Sequence, residues 1–201
     1  LLFAFGSIMD TDDEIIIPEP FYANYNGFSI ASNVNVVPVI SKIEDNFALP
    51  PIKEFEKLIT PKTKAILICN PGNPTGYLYS KEEIKQLASL VKKHDLFLIA
   101  DEVYIDSKRE HSTYSPFHTL GEHCISVNSL TKIYSLGTLR YGWLISSKDI
   151  SKGVPNGTIA EKLFSCKGLS WIDFIFCEKK LVEINNKQRT NFWDILFFFS
   201  M

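Results

Sequence analysis

The chain has 201 residues, a net charge of −2, and 45% hydrophobic and 22% charged residues. That length suits one domain with a real core, or one domain and part of another, in an ordinary globular balance. The charge leaves no basic footprint for nucleic acid or an anionic membrane, and no apolar run approaches the length of a membrane span. Cys69, Cys124, Cys166 and Cys177 show no C-x-x-C spacing. They read as reduced thiols of an intracellular, cytoplasmic protein rather than as a disulfide framework.

Leu1 to Met9 reads as the remnant of a buried helix, with neither an initiator methionine nor a basic leader. The end, Phe197 to Met201, is unusually aromatic, and both termini suggest a fragment or an imperfect gene model. Asp10 to Asp13 is a turn cluster. Glu14 to Ile17 is a short apolar strand, expected to stop at Pro18 and Pro20. Phe21 to Ser32 is weakly helical, and Asn35 to Val39 is a second strand. Ile52, Phe55, Leu58 and Ile59 make one helical face. Lys64 to Cys69 is a third strand whose continuous apolar run suits burial on both faces.

The next stretch, N-P-G-N-P-T-G from Asn70 to Gly76, makes a rigid, non-helical loop. Ser80 is then a helix N-cap, and Glu83 completes a capping box. Ile84, Leu87, Leu90 and Val91 share the apolar face of that helix, which ends near His94 with Lys92 and Lys93 in its last turn. Leu96 to Ala100 is a fourth strand running into D-E-V-Y, Asp101 to Tyr104. A polar loop, Ser107 to His123, leads to strands at Cys124 to Val127 and Tyr141 to Ile145. Past Val154 the pattern changes: aromatic residues become dense, and Leu163 to Val182 suits a helix or a strand pair equally well.

Strand and helix alternate from Glu14 to Ile99, so the expected fold is α/β, with a mostly parallel sheet covered by helices. Ligands of such sheets sit at the carboxyl ends of the strands. Asn73, Asp101 and the pair Ser129 and Lys132 all fall just after expected strands, so three polar groups converge on one edge of one sheet.

The segment S-L-T-K-I-Y-S-L-G-T-L-R, Ser129 to Arg140, supplies the chemistry. A lysine amine that is partly neutral and held in place bonds an aldehyde reversibly, as in a Schiff base to pyridoxal 5′-phosphate. Arg140 offers a bidentate fork for the cofactor phosphate and Ser129 a hydroxyl. Asp101 is suited to hold a proton on the pyridine nitrogen, which makes the ring an electron sink. Tyr104 and Asn73 are placed to donate to the phenolic oxygen, and Tyr22 to stack on the ring. Each has an ordinary alternative. Lys132 suits a solvated surface, Asp101 a loop or helix cap, and Asn73 a turn between prolines. Tyr104 suits a half-buried amphipathic position and Tyr22 simple packing. His118, His123 and Cys124 lack further ligands at a metal-binding spacing. No glycine-rich nucleotide loop follows any expected strand.

N-P-G-N-P-T-G, D-E-V-Y and S-L-T-K-x7-R, in this order, resemble the class I/II aminotransferases, which are fold-type I pyridoxal-phosphate enzymes. The resemblance runs from Leu1 to about Ile150. It implies a three-layer large domain over 1–150, with the small domain largely missing and 151–201 a divergent, aromatic-rich segment. It implies that Lys132 bonds the cofactor and shuttles the proton between the substrate Cα and the cofactor C4′. Asp101 then takes the pyridine nitrogen, Tyr104 and Asn73 the phenolic oxygen, Ser129 and Arg140 the phosphate, and Tyr22 the ring face. It implies an amino acid and a 2-oxo acid as substrates, and a homodimer. The chain departs from the family in four ways, one of them the absence of the N-terminal arm with its substrate and dimer contacts. The glycine-rich segment before its first helix is absent, and Thr138 stands where the family has glycine, with Gly137 one place early. No stretch after Ile150 matches the substrate-carboxylate arginine, a role not assigned to Arg189. A truncated, non-catalytic form of such an enzyme, or a lyase or synthase of the same fold, is the alternative.

Overall fold

A computed structural model of the chain describes residues 1–105, 107, 114–139 and 141–147. Its centre is one six-stranded sheet of β1 (Glu14–Glu19), β2 (Asn35–Ile40), β3 (Thr63–Cys69), β4 (Phe97–Asp101), β5 (Cys124–Ser129) and β6 (Gly142–Ile145). The order is β2-β1-β3-β4-β5-β6. Neighbours are parallel from β2 through β5, and β6 returns antiparallel to β5. The chain changes direction across the sheet between β1 and β3, the topological switch point of an open α/β sheet.

Alternation along the central strands explains the layers. Ile66 and Ile68 of β3 face one side with Leu98 and Ala100 of β4, while Ala65, Leu67 and Cys69 face the other with Ile99. The first side is covered by α3 (Ile52–Leu58), α4 (Lys81–Lys93) and α5 (Phe117–Leu120) through Phe55, Ile84, Leu87 and Leu120. The second is covered by α1 (Leu2–Ile8) and α2 (Asn24–Ala31) through Ala4, Phe5 and Tyr25. The result is the expected three-layer α/β arrangement with a mostly parallel sheet.

In α4, the Ser80 hydroxyl accepts from Glu83 N at 3.2 Å, and Ser80 N donates to Glu83 Oε2 at 2.7 Å. Such a cap contributes about 1 kcal/mol. Ile84, Leu87 and Val91 are fully buried, and each contributes roughly 1.5–3 kcal/mol. Packing therefore holds this helix, and the cap fixes where it begins. Helix α2 has neither a side-chain cap nor an acid in its first turn, so it depends still more on burying Tyr25.

Two expectations need correction. Pro18 does not stop β1: it lies inside the strand opposite Val39 of β2. Pairing of β1 with β3 ends at Ile16. From Ile17 on, the strand is paired on one side alone, where a missing N–H is tolerated. The polar loop from Ser107 to His123 also contains α5 and a 3-10 turn at Gly121–His123. Phe117 and Leu120 pack against the core there, and four residues are too few to show a helical period in sequence. The change of pattern after Val154 and the ambiguous stretch from Leu163 to Val182 lie outside the described residues.

Candidate active site at the carboxyl ends of the strands

The strand register sets the site. Cys69 of β3 lies level with Asp101 of β4, and Asp101 level with Val127 of β5. Asn73 follows the end of β3, Tyr104 the end of β4, Lys132 the end of β5, and Tyr22 the end of β1. The sequence-predicted groups that the structure describes therefore share one end of the sheet.

Asp101 is a buried carboxylate of this end, 9% exposed, and the adjoining Glu102, 4% exposed, is buried as well. Its Oδ1 accepts from Val103 N at 3.2 Å and its Oδ2 from the Tyr25 hydroxyl at 2.9 Å. The first contact is the ordinary loop role of an aspartate, so both readings of Asp101 have a basis in the geometry. Burial raises its carboxyl above the usual range, opposed by the Tyr25 hydroxyl and then by Val103 N–H. A carboxylate offers about four lone-pair sites, and these contacts use two. Acceptor capacity remains for a cationic N–H donor.

Asn73 stands in a loop shaped by its own backbone. Gly72 N donates to Tyr77 O at 2.7 Å and Gly76 N to Gly72 O at 2.9 Å. Gly76 has φ +69°, in the region that favours glycine. The Asn70 side chain, fully buried, accepts from Tyr79 N and donates to Tyr114 O. Cis peptide bonds at Glu19–Pro20, Asn70–Pro71 and Asn73–Pro74 all fall at this end of the sheet. A shallow, solvent-open cleft lies between these loops, lined by Phe21, Tyr25, Cys69, Asn73, Thr75 and Tyr79.

Lys132 is exposed, and Ser129 is half-buried at the end of β5. The Ser129 hydroxyl accepts from Thr131 N at 3.4 Å, and Ser129 N donates to Asn128 Oδ1 at 2.6 Å. Leu130 N donates to Tyr141 O and Leu136 N to Leu130 O, which closes the lysine-bearing loop. Tyr22 is 41% exposed and meets the Tyr25 ring edge-on, with centroids 5.5 Å apart. Tyr104 is half-buried and packs beside the β3–β4 face that carries Cys69. Arg140 lies outside the described residues. His123 Nδ1 lies 3.1 Å from Leu96 O, at the opposite end of the sheet.

Two residues of this end escape the sequence reading. Tyr25 reaches Asp101 across 76 positions, and Cys69 sits level with it on the next strand. Burial, and then the charge of Asp101, push the Cys69 thiol up to about 12, so it is a neutral neighbour. The one available signal is the spacing of Tyr22 and Tyr25, which puts both rings on one side of a helical turn.

The profile of the family "Aminotransferase class I and II" matches residues 1–166. The chain is 33% identical over 150 residues to the aspartate/prephenate aminotransferase of Thermus thermophilus, covering 75% of this chain and 39% of that protein. It is 33% identical over 156 residues to the aspartate aminotransferase of Bacillus subtilis, covering 76% and 39%. A single mutant of Thermus thermophilus aspartate aminotransferase superposes with a TM-score of 0.73 at 32% identity, over 76% of this chain and 40% of that one. The aromatic aminotransferase of Pyrococcus horikoshii gives 0.71 at 29% identity, over 76% and 42%. The chain thus spans about 40% of the length of these relatives.

Proposed function

Because the chain belongs to the aminotransferase class I and II family, whose members use pyridoxal phosphate, we propose that the protein moves an amino group between an amino acid and a 2-oxo acid. When bound, the cofactor supplies an aldehyde that accepts an amine and a ring that withdraws electrons from the adjoining carbon. The observation that carries this reading is Asp101: a buried carboxylate at a strand end, with acceptor capacity to spare. It would hold the proton on the ring nitrogen. Asn73 and Tyr104 would donate to the phenolic oxygen, Ser129 and Arg140 would bind the phosphate, and Tyr22 would cover the ring. Lys132 would bond the aldehyde and carry the proton at the substrate Cα. The protein would work as a homodimer in the cytoplasm.

The test is an absorbance titration of the chain with pyridoxal phosphate beside Lys132→Ala. A saturable visible band in the wild type, lost in the variant, supports the assignment. The same weak, non-saturating spectrum in both would overturn it.

The coverage of about 40% of each relative favours a second reading, in which this chain alone binds the cofactor without turnover. Amino exchange with a panel of 2-oxo acids separates the two. A saturable band without exchange supports the second reading, and exchange removes it.

A further inference from the structure

We propose that Tyr25 is a positioning residue of this site: its hydroxyl, donated to Asp101 Oδ2, aims that carboxylate and holds it in its charged form. The proposal rests on the reading of Asp101 as the partner of the cofactor's ring nitrogen.

The geometry is specific. Tyr25 is 1% exposed, and its ring is fixed between Phe21, stacked with centroids 6.1 Å apart, and Tyr22, edge-on at 5.5 Å. A ring held on two sides leaves its hydroxyl one direction, and there it meets Asp101 at 2.9 Å. Oδ1 is taken by Val103 N, so donors at both oxygens fix the plane of the carboxylate. Aim matters because a charge-assisted N–H···O contact weakens steeply as its angle departs from linear.

The charge follows from the same contact. Burial penalises a carboxylate, and a hydrogen bond donated to its charged form opposes that penalty. Among the described residues, the groups acting on Asp101 are Tyr25 from α2, the Val103 N–H just after β4 and Cys69 from β3. The thiol is neutral at any working pH. The next acid in sequence, Glu102, accepts from the Ser126 hydroxyl. Burial also pushes the Tyr25 hydroxyl far above its ordinary value. Tyr25 therefore stays a donor wherever the protein is folded. Without it, Asp101 would hold a proton more strongly and compete with the ring nitrogen for it.

The experiment follows the Asp101 side-chain carboxyl by ¹³C NMR across pH in the cofactor-free chain, for the wild type and Tyr25→Phe. The phenyl ring keeps the packing and removes only the donor. The midpoint is expected to rise in the variant by on the order of one pH unit. With ¹⁵N-labelled cofactor bound, the ring-nitrogen resonance is expected to move toward its unprotonated position. An unchanged Asp101 midpoint in a folded variant overturns the proposal, and so does an unmoved ring-nitrogen resonance in the cofactor-bound variant, the outcome expected of a tie that only joins α2 to β4. Should Tyr25→Phe fail to fold, fluorotyrosine at position 25 decides: a stronger donor lowers the midpoint, and no movement again overturns the idea. A midpoint that responds in a chain taking up no cofactor overturns the proposed function and leaves the hold of Tyr25 on Asp101 standing.

Discussion

Two sets of charged groups, one at each end of the sheet, are handled in opposite ways. At the amino end, Glu56 meets Lys93 and His94 at the surface, and Glu14 accepts from the Thr60 and Thr63 hydroxyls. At the carboxyl end, Asp101 is buried beside a buried tyrosine and a buried thiol. The carboxylates of the first set stay partly exposed to water, and each has its partners within the fold. The second gives up hydration and keeps acceptor capacity unspent. A polar group that is buried yet incompletely used costs stability, and that cost is reasonable where a ligand completes the pairing.

The contrast can be broken most severely at Asp101. Asp101→Ala should abolish saturable cofactor binding and leave the Tyr25 hydroxyl without its acceptor, a loss of about 1–3 kcal/mol in denaturant unfolding. The pH dependence sharpens the same point. Burial raises Asp101, so the native chain holds that proton more tightly than the unfolded chain. This contribution is fully present below the ordinary midpoint of 3.8. It is lost as pH rises from there through the higher native value. Asp101→Asn should flatten that fall in melts recorded across pH.

Smaller changes test the loops that frame the cleft. Gly76→Ala places a side chain at φ +69° and should cost about 1–2 kcal/mol. Its effect on cofactor affinity would report how far Asn73 depends on the loop. Ser80→Ala removes the α4 cap and should cost about 1 kcal/mol by thermal or chemical unfolding, with cofactor affinity unchanged.

The smallest effect is expected at the amino end. Lys93 first, and His94 next, hold Glu56 below its ordinary 4.5. This contribution is present above 4.5 and is lost as pH falls from there through the lower native value, the reverse of Asp101. Glu56→Gln should change thermal stability at the edge of detection, and only above that range. A larger change there than at Asp101 would remove the distinction between the two ends.

Much of this was legible in the chain. N-P-G-N-P-T-G, D-E-V-Y and the Ser129–Lys132 pair each follow an apolar run of strand length, so their place at the carboxyl ends could be read directly. The capping box of α4 was equally clear, because Ser80 and Glu83 lie within one turn. Tyr25 was not legible as a partner of Asp101. The contact crosses 76 positions, and α2 carries too weak an apolar stripe to say which side faces the sheet. Pro18 misled because its place depends on where pairing with β3 ends, a property of two strands rather than one. The short α5 was hidden by length alone.

The level register of Cys69, Asp101 and Val127 has a consequence for how such a site can vary. Neighbouring strands lie about 4.8 Å apart, so the sheet acts as a ruler whose divisions the loops cannot change. Residues may be added to or removed from the segments bearing Asn73 or Lys132 while their strands stay on the same marks. A single residue inserted inside β4 would instead turn Asp101 to the opposite face, away from Tyr25. Variation in this architecture is thus cheap between the marks and forbidden on them.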